Sequence, residues 1–152
     1  MSQYNYGLSL LLAGVDNTGA HVYRLDNPGR MEVYDSLGYC AVGSGELHAI
    51  STFVANDYRH DLDLDHVLAL TYEAKRRSEK AQGVGEKSDI YIVTKDNCLK
   101  LSDEEIKKLD NIYNMKSEQE KKAVKEIEDK IKELKIIENH HKKITESKEK
   151  SD

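Results

Sequence analysis

Tryptophan is absent from this 152-residue chain, and proline and phenylalanine occur once each. So little proline, with 9 glycines and no repeating glycine period, excludes a collagen-like or proline-rich chain. The two cysteines, Cys40 and Cys98, are too few for a disulfide framework and form no CxxC pair. A reducing, cytoplasmic setting is therefore expected. No apolar run approaches the roughly 18–20 residues of a membrane span, and no basic segment precedes the first apolar stretch, so neither a membrane partner nor a secretory signal is expected. The net charge of −5 supplies no electrostatic reason for nucleic acid as a partner.

Charge is plentiful instead, and it is unevenly placed. Charged residues make up 34% of the chain, hydrophobic residues only 38%, and the mean hydropathy is −0.71. Residues 115–152 carry 11 Lys against 10 Asp or Glu, without glycine, proline or an aromatic ring, so they hold +1 and leave −6 on residues 1–114. The break predicts a globular body over 1–114 and an appended charged helix over 115–152, frayed from about Thr145 onward.

The body opens with strand signals. Gly7 to Val15 is a nearly continuous apolar run, predicting a strand buried on both faces. Asp16-Asn17-Thr18-Gly19 is a turn, and Ala20 to Leu25 alternates as a half-buried strand does. Asp26-Asn27-Pro28-Gly29 is a second turn, followed by short strands at Arg30–Tyr34 and Leu37–Val42. The four strands predict an antiparallel meander. The Ser9 hydroxyl, inside an apolar strand, calls for a partner on the neighbouring strand. No strand is assigned to the first one's other side, and an edge this apolar invites aggregation. The expectation is that part of the fold lies outside these residues and that the isolated chain self-associates.

Helical spacing follows. Leu47, Ile50 and Val54 define one stripe. Asp63 is an N-cap for a helix carrying Val67, Leu70 and Ala74 and ending in Lys75-Arg76-Arg77. Ser88 to Thr94 returns to strand character, Lys95-Asp96-Asn97 is a turn, and Ser102 with Glu105 forms a capping box before a helix through Leu109 and Ile112. Strands, two helices, a strand and a helix predict the α+β class with segregated layers.

Three segments in this order carry a family resemblance: Leu10-Leu11-Leu12-Ala13-Gly14-Val15-Asp16, His21-Val22-Tyr23-Arg24-Leu25-Asp26, and Ala41-Val42-Gly43-Ser44-Gly45. With the helix after Asp63 and the strand Ser88-Asp89-Ile90-Tyr91-Ile92-Val93, they resemble the C-terminal half of a proteasome β-type subunit, over about residues 7–112. The resemblance implies a partial αββα N-terminal-nucleophile-hydrolase sandwich, threonine peptidase ancestry and ring-type assembly. Partners would be copies of this chain or a chain supplying the N-terminal half, with peptide as substrate and no cofactor or metal. It places the catalytic threonine, with the family's Asp and Lys, ahead of the matched segments. Such a terminal amine serves as base for its own side chain. Ser2, exposed if Met1 is removed, lies ahead of the wrong strand to replace it. Ser44, flanked by Gly43 and Gly45, matches the serine beside the catalytic amine; the plain alternative is a strand-to-helix turn using glycine for its geometry. Ala81 and Val84 stand where the family has a supporting Asp and Ser, and Glu79 lies two residues from the first of these. The chain alone is expected to hydrolyse no peptide.

Other candidates have plain readings. Arg59 to His66 gathers His60, Asp61, Asp63, Asp65 and His66, but without a calcium-loop pattern, so it reads as a helix entrance. Cys40 reads as a structural thiol in its strand, and His140-His141 as solvated side chains. In the tail, Val124, Ile127, Ile131 and Leu134 form a heptad seam that stops where Glu138 and His141 take the next positions. The seam packs on its own domain or on a partner helix. Two functions remain: a proteasome-like threonine peptidase half whose nucleophile lies elsewhere, or a non-catalytic assembly module using the sheet edge and the tail helix.

Overall fold

The computed structural model describes residues 7–136. They form a mixed α/β arrangement of small sheets and helices, and the chain divides into two compact units, Met1–Tyr113 and Asn114–Asp152. In the first unit, β1 (Ser9–Val15), β2 (Ala20–Asp26) and β3 (Arg30–Val33) make an antiparallel meander in the order β1-β2-β3. The hairpins close where glycine permits a positive φ: Asp16 N–H donates to Gly19 O (2.9 Å), and Gly29 N–H, with φ 125°, to Asp26 O (2.8 Å).

The register divides the sheet into two unlike faces. Leu10 pairs with Leu25 and Leu12 with Tyr23, while Leu25 pairs with Met31 and Tyr23 with Val33. Directly paired residues share a face, so Leu10, Leu12, Tyr23, Leu25, Met31 and Val33 form one apolar surface. The opposite face carries Arg24, Asp26, Arg30 and Glu32. Its Arg24 guanidinium reaches Glu46 in the first turn of the next helix, so this face looks towards the helices. Burial of β1 on both faces is corrected: it is an edge strand, and Leu12 is 61% exposed. On the same face Met31 is 60% exposed. The residues are apolar enough for burial, but nothing among the described residues covers them.

The fourth strand at Leu37–Val42 is also corrected. Gly38 takes φ 75° against the Tyr58 and His60 side chains. A His60 ring nitrogen bonds Ser36 O (2.7 Å), and Tyr58 O–H donates to Gly38 O (3.2 Å). Tyr58 thus takes up a carbonyl inside the segment, and His60 one just ahead of it.

Helix α1 (Glu46–Ala55) packs on α2 (Leu64–Ser78) through a small core of Phe53, Leu70 and Ala74, with Tyr39, Ala49 and Tyr58 around it. Tyr39 stacks on Phe53 at 4.7 Å, and Tyr58 meets both rings edge-on. The Asp63 cap is as expected, accepting from His66 N–H at 2.8 Å. Strand character at 88–94 narrows to β4 (Tyr91–Val93), which pairs with β5 (Cys98–Lys100), a strand not anticipated; the intervening turn closes through Thr94 N–H to Asn97 O at 2.8 Å.

Ser102 and Glu105 cap as expected, the Ser102 N–H and hydroxyl each 2.7 Å from the Glu105 carboxylate. The helix that follows, α3 (Asp103–Glu133), is continuous where two helices were anticipated. The reason is local: the chain from Ile112 to Lys116 contains no glycine or proline to stop it. Its start joins the first unit through Asp110, which accepts from Tyr72 O–H (3.0 Å), and through Tyr113, whose ring lies 5.5 Å from the Arg76 guanidinium.

Candidate functional site

The Gly43-Ser44-Gly45 turn sits at the N-terminus of α1, and each glycine has its own reason to be there. Gly43 takes φ 99°, which side-chain-bearing residues rarely adopt. Gly45 has an ordinary φ of −91°, but a Cβ there would lie 2.6 Å from Ser78 Cβ and 3.1 Å from Ser78 O. The turn therefore abuts the last residue of α2, and its middle residue, Ser44, is exposed. Glu46 N–H donates to Gly43 O (3.1 Å) and Ala49 N–H to Gly45 O (3.1 Å), continuing the turn into helix.

Ser78, buried, is the residue that sequence reasoning missed; nothing in its local sequence marks it. Its hydroxyl donates to Lys75 O at 2.6 Å. The positions compared with the family's supporting Asp and Ser follow at once. Ala81 N–H donates to Ser78 O (3.0 Å) and Val84 N–H to Ala81 O (3.3 Å). The fold thus brings the turn and the loop after α2 together through the Gly45–Ser78 contact, but Ala81 and Val84 offer no side-chain hydrogen-bonding or proton-transfer group. The Glu79 carboxylate is held by its own helix, with Lys75 Nζ on one oxygen and Arg76 Nη1 3.0 Å from the other. Lys75 also donates to Gly85 O (2.7 Å) and Glu86 O (2.9 Å), gathering the loop around its ammonium.

A polar chain fixes the turn to the sheet. Ser9 Oγ donates to Asp26 Oδ1, Arg24 Nε donates to the other Asp26 oxygen (2.9 Å), and Arg24 Nη1 donates to Glu46. The expected partner of Ser9 is thus Asp26 on β2. Hydrogen bonds to Glu46 and then Asp26 raise the Arg24 pKa, and the Ser9 hydroxyl chiefly lowers that of Asp26. Cys40 lies outside any strand, and burial pushes its thiol pKa up, the wrong direction for a nucleophile.

A second cluster lies at the β1–β2 turn. His21 Nδ1 is 2.7 Å from Asp35, while His21 Nε2 is 2.9 Å from Thr18 Oγ1 and 3.2 Å from Asp16. The sequence of hydroxyl, imidazole and carboxylate has the connectivity of a nucleophile triad. Its protons are arranged otherwise. Thr18 O–H donates to Asp16 (2.6 Å), and Asp35, with Asp16, raises the His21 pKa and favours imidazolium over base. The cluster is a charged clamp. Ser2, His140 and His141 lie outside the described residues.

With this geometry in hand, comparison with known proteins defines the class. The family pattern described as "Proteasome subunit" matches residues 1–93, and the chain belongs to that family. Relatives of both subunit types share its sequence. Proteasome subunit beta of Ferroglobus placidus is 32% identical over 68% of this chain and 48% of its own length. Proteasome subunit beta 2 of Thermofilum pendens is 31% identical over 63% of this chain and 46% of its own. Proteasome subunit alpha of Methanopyrus kandleri is 26% identical over 68% and 41% respectively. The matched region therefore spans less than half the length of each of these relatives.

Proposed function

We propose that this chain is the C-terminal half of a proteasome-type N-terminal-nucleophile domain of the β type, acting in peptide-bond hydrolysis with a threonine nucleophile carried on the other half. The observation that carries the reading is the bare apolar face of the β1-β2-β3 sheet. Leucine, methionine and valine side chains covering one face of a sheet belong against another layer, and a second sheet would complete the sandwich. The missing layer matches the share of the relatives' length that this chain leaves unspanned. In this reading the Gly43-Ser44-Gly45 turn meets the terminal amine of the threonine, and the exposure of Ser44 leaves it available to a group from another segment. Ring-type assembly, peptide substrate and a cytoplasmic location belong to the same reading.

A second reading, a non-catalytic assembly half, is favoured by Ala81 and Val84 at the supporting positions and by the engagement of Glu79 with Lys75 and Arg76. Intact-mass analysis and N-terminal sequencing of the native assembly test both. A threonine-led segment, on the same or an associated chain, is expected. Hydrolysis of a fluorogenic peptide by that assembly then selects the first reading, and an inert assembly the second. A monodisperse 17.3 kDa monomer with no associated chain would overturn both.

A further inference from the structure

The Gly43-Ser44-Gly45 turn holds an orientation that its own residues do not fix. Its two glycines leave the backbone free to turn. Gly45, at the N-cap of α1, has no side chain to accept from the N–H groups of the first helical turn. Ser78 stands against Gly45 from the α2 side. On the sheet side the anchor is Glu46, the residue after Gly45. Its N–H donates to Gly43 O (3.1 Å), so its backbone and the turn move together. Its carboxylate accepts from Arg24 Nη1.

Arg24 is itself held still. It lies on β2, the central strand of its sheet. Its Nε donates to one Asp26 oxygen (2.9 Å), and the other Asp26 oxygen accepts from Ser9 on β1. A planar guanidinium engaged on two edges points in a set direction, as a lysine ammonium does not. Arg24 and Glu46 are only 19% and 26% exposed, so the pair escapes much of the screening that weakens surface ion pairs. Arg30, on the same sheet face, instead pairs within its own strand with Glu32 (2.6 Å) and is 74% exposed. We propose that Arg24, acting through Glu46, is a positioning residue that sets where Ser44 points. What Ser44 then meets, the threonine amine, rests on the reading given above.

The test follows the backbone amide signals of Gly43 and Ser44 by NMR in the full chain, where no catalysis is needed. Arg24→Met is expected to move both signals, and to move them no further once Glu46→Ala is in place, because the two changes remove one interaction. Arg24→Lys, which keeps the charge without the fork, should give a smaller shift. Arg30→Met, the same charge change on the same face, should leave the signals in place. Unmoved signals in Arg24→Met, an equal shift with and without Glu46→Ala, or an equal shift from Arg30→Met overturns the proposal. In the native assembly, Arg24→Met is expected to lower kcat about tenfold with KM nearly unchanged; a change in KM alone overturns the positioning role. An inert native assembly with the NMR shifts as expected rejects the threonine reading and upholds the positioning of the turn, so the two failures are distinguishable.

Discussion

At the scale of single residues, His21 controls the clamp between the β1–β2 turn and Asp35. Asp35, and then Asp16, raises its pKa above the ordinary 6.5. The stabilisation is therefore fully present below about 6.5 and is lost as pH rises through the raised folded value. The carboxylates set the acid limit. His21 holds the Asp35 pKa below its ordinary 3.8, and hydrogen bonds from Thr18 and His21 bring Asp16 down to about 2. Their share is lost as pH falls from about 3.8 through those folded values. Proton NMR titration of His21 should give a raised midpoint, and His21→Gln should flatten the dependence of melting temperature on pH across that midpoint. Gly45 is the other telling residue. Gly45→Ala should destabilise the body by about 1–3 kcal/mol through overpacking on Ser78. The double variant with Ser78→Gly should recover part of the loss in chemical denaturation, because the clash is with Ser78 Cβ.

At the scale of elements, the capping signals were legible and the third neighbours were not. Asp63, Ser102 and Glu105 cap as their spacing predicts, because a cap is completed within three residues of chain. The Leu37–Val42 segment carries β-forming residues yet is no strand: Gly38 turns to a positive φ, Tyr58, twenty residues on, takes its carbonyl, and His60 takes that of Ser36 just ahead of the segment. β5 escaped notice because Cys98-Leu99-Lys100 is too short to show a period and exists only as the partner of β4. The edge strand gives a test. Leu12→Lys should change the stability of the isolated chain by no more than about 0.5 kcal/mol, since Leu12 is already largely in water. It should also suppress self-association in light scattering. The same change should block completion of the domain by its other half, read as loss of co-purification.

At the scale of the whole molecule, the described residues bury little. The core is Phe53, Leu70 and Ala74 with three partly buried neighbours, while Leu10, Leu12, Met31 and Val33 on one sheet face remain exposed. Family membership covers residues 1–93, and the relatives are more than twice as long as the matched region. The isolated chain is expected to release no product from unstructured fluorogenic peptides. Robust turnover abolished by Ser2→Ala would count against this, because it would assign the nucleophile to a segment the family does not use. Adding the complementary half should instead protect the β1 amides from hydrogen exchange, as a covered sheet requires.

The sequence by itself determined the family, helices α1 and α2, the start of α3, the first two hairpin turns and the placement of charge. These depend on periodicity, on caps and on the backbone freedom of glycine, all carried within a few residues. Tertiary structure alone decided that Gly45 must be glycine for want of space beside Ser78 and that His21 is clamped between two carboxylates. It also decided that β1 is an exposed edge, although its composition reads as a buried strand. Apolarity records what a segment is suited to meet, whereas burial depends on whether a partner stands opposite, and no local pattern of residues encodes that.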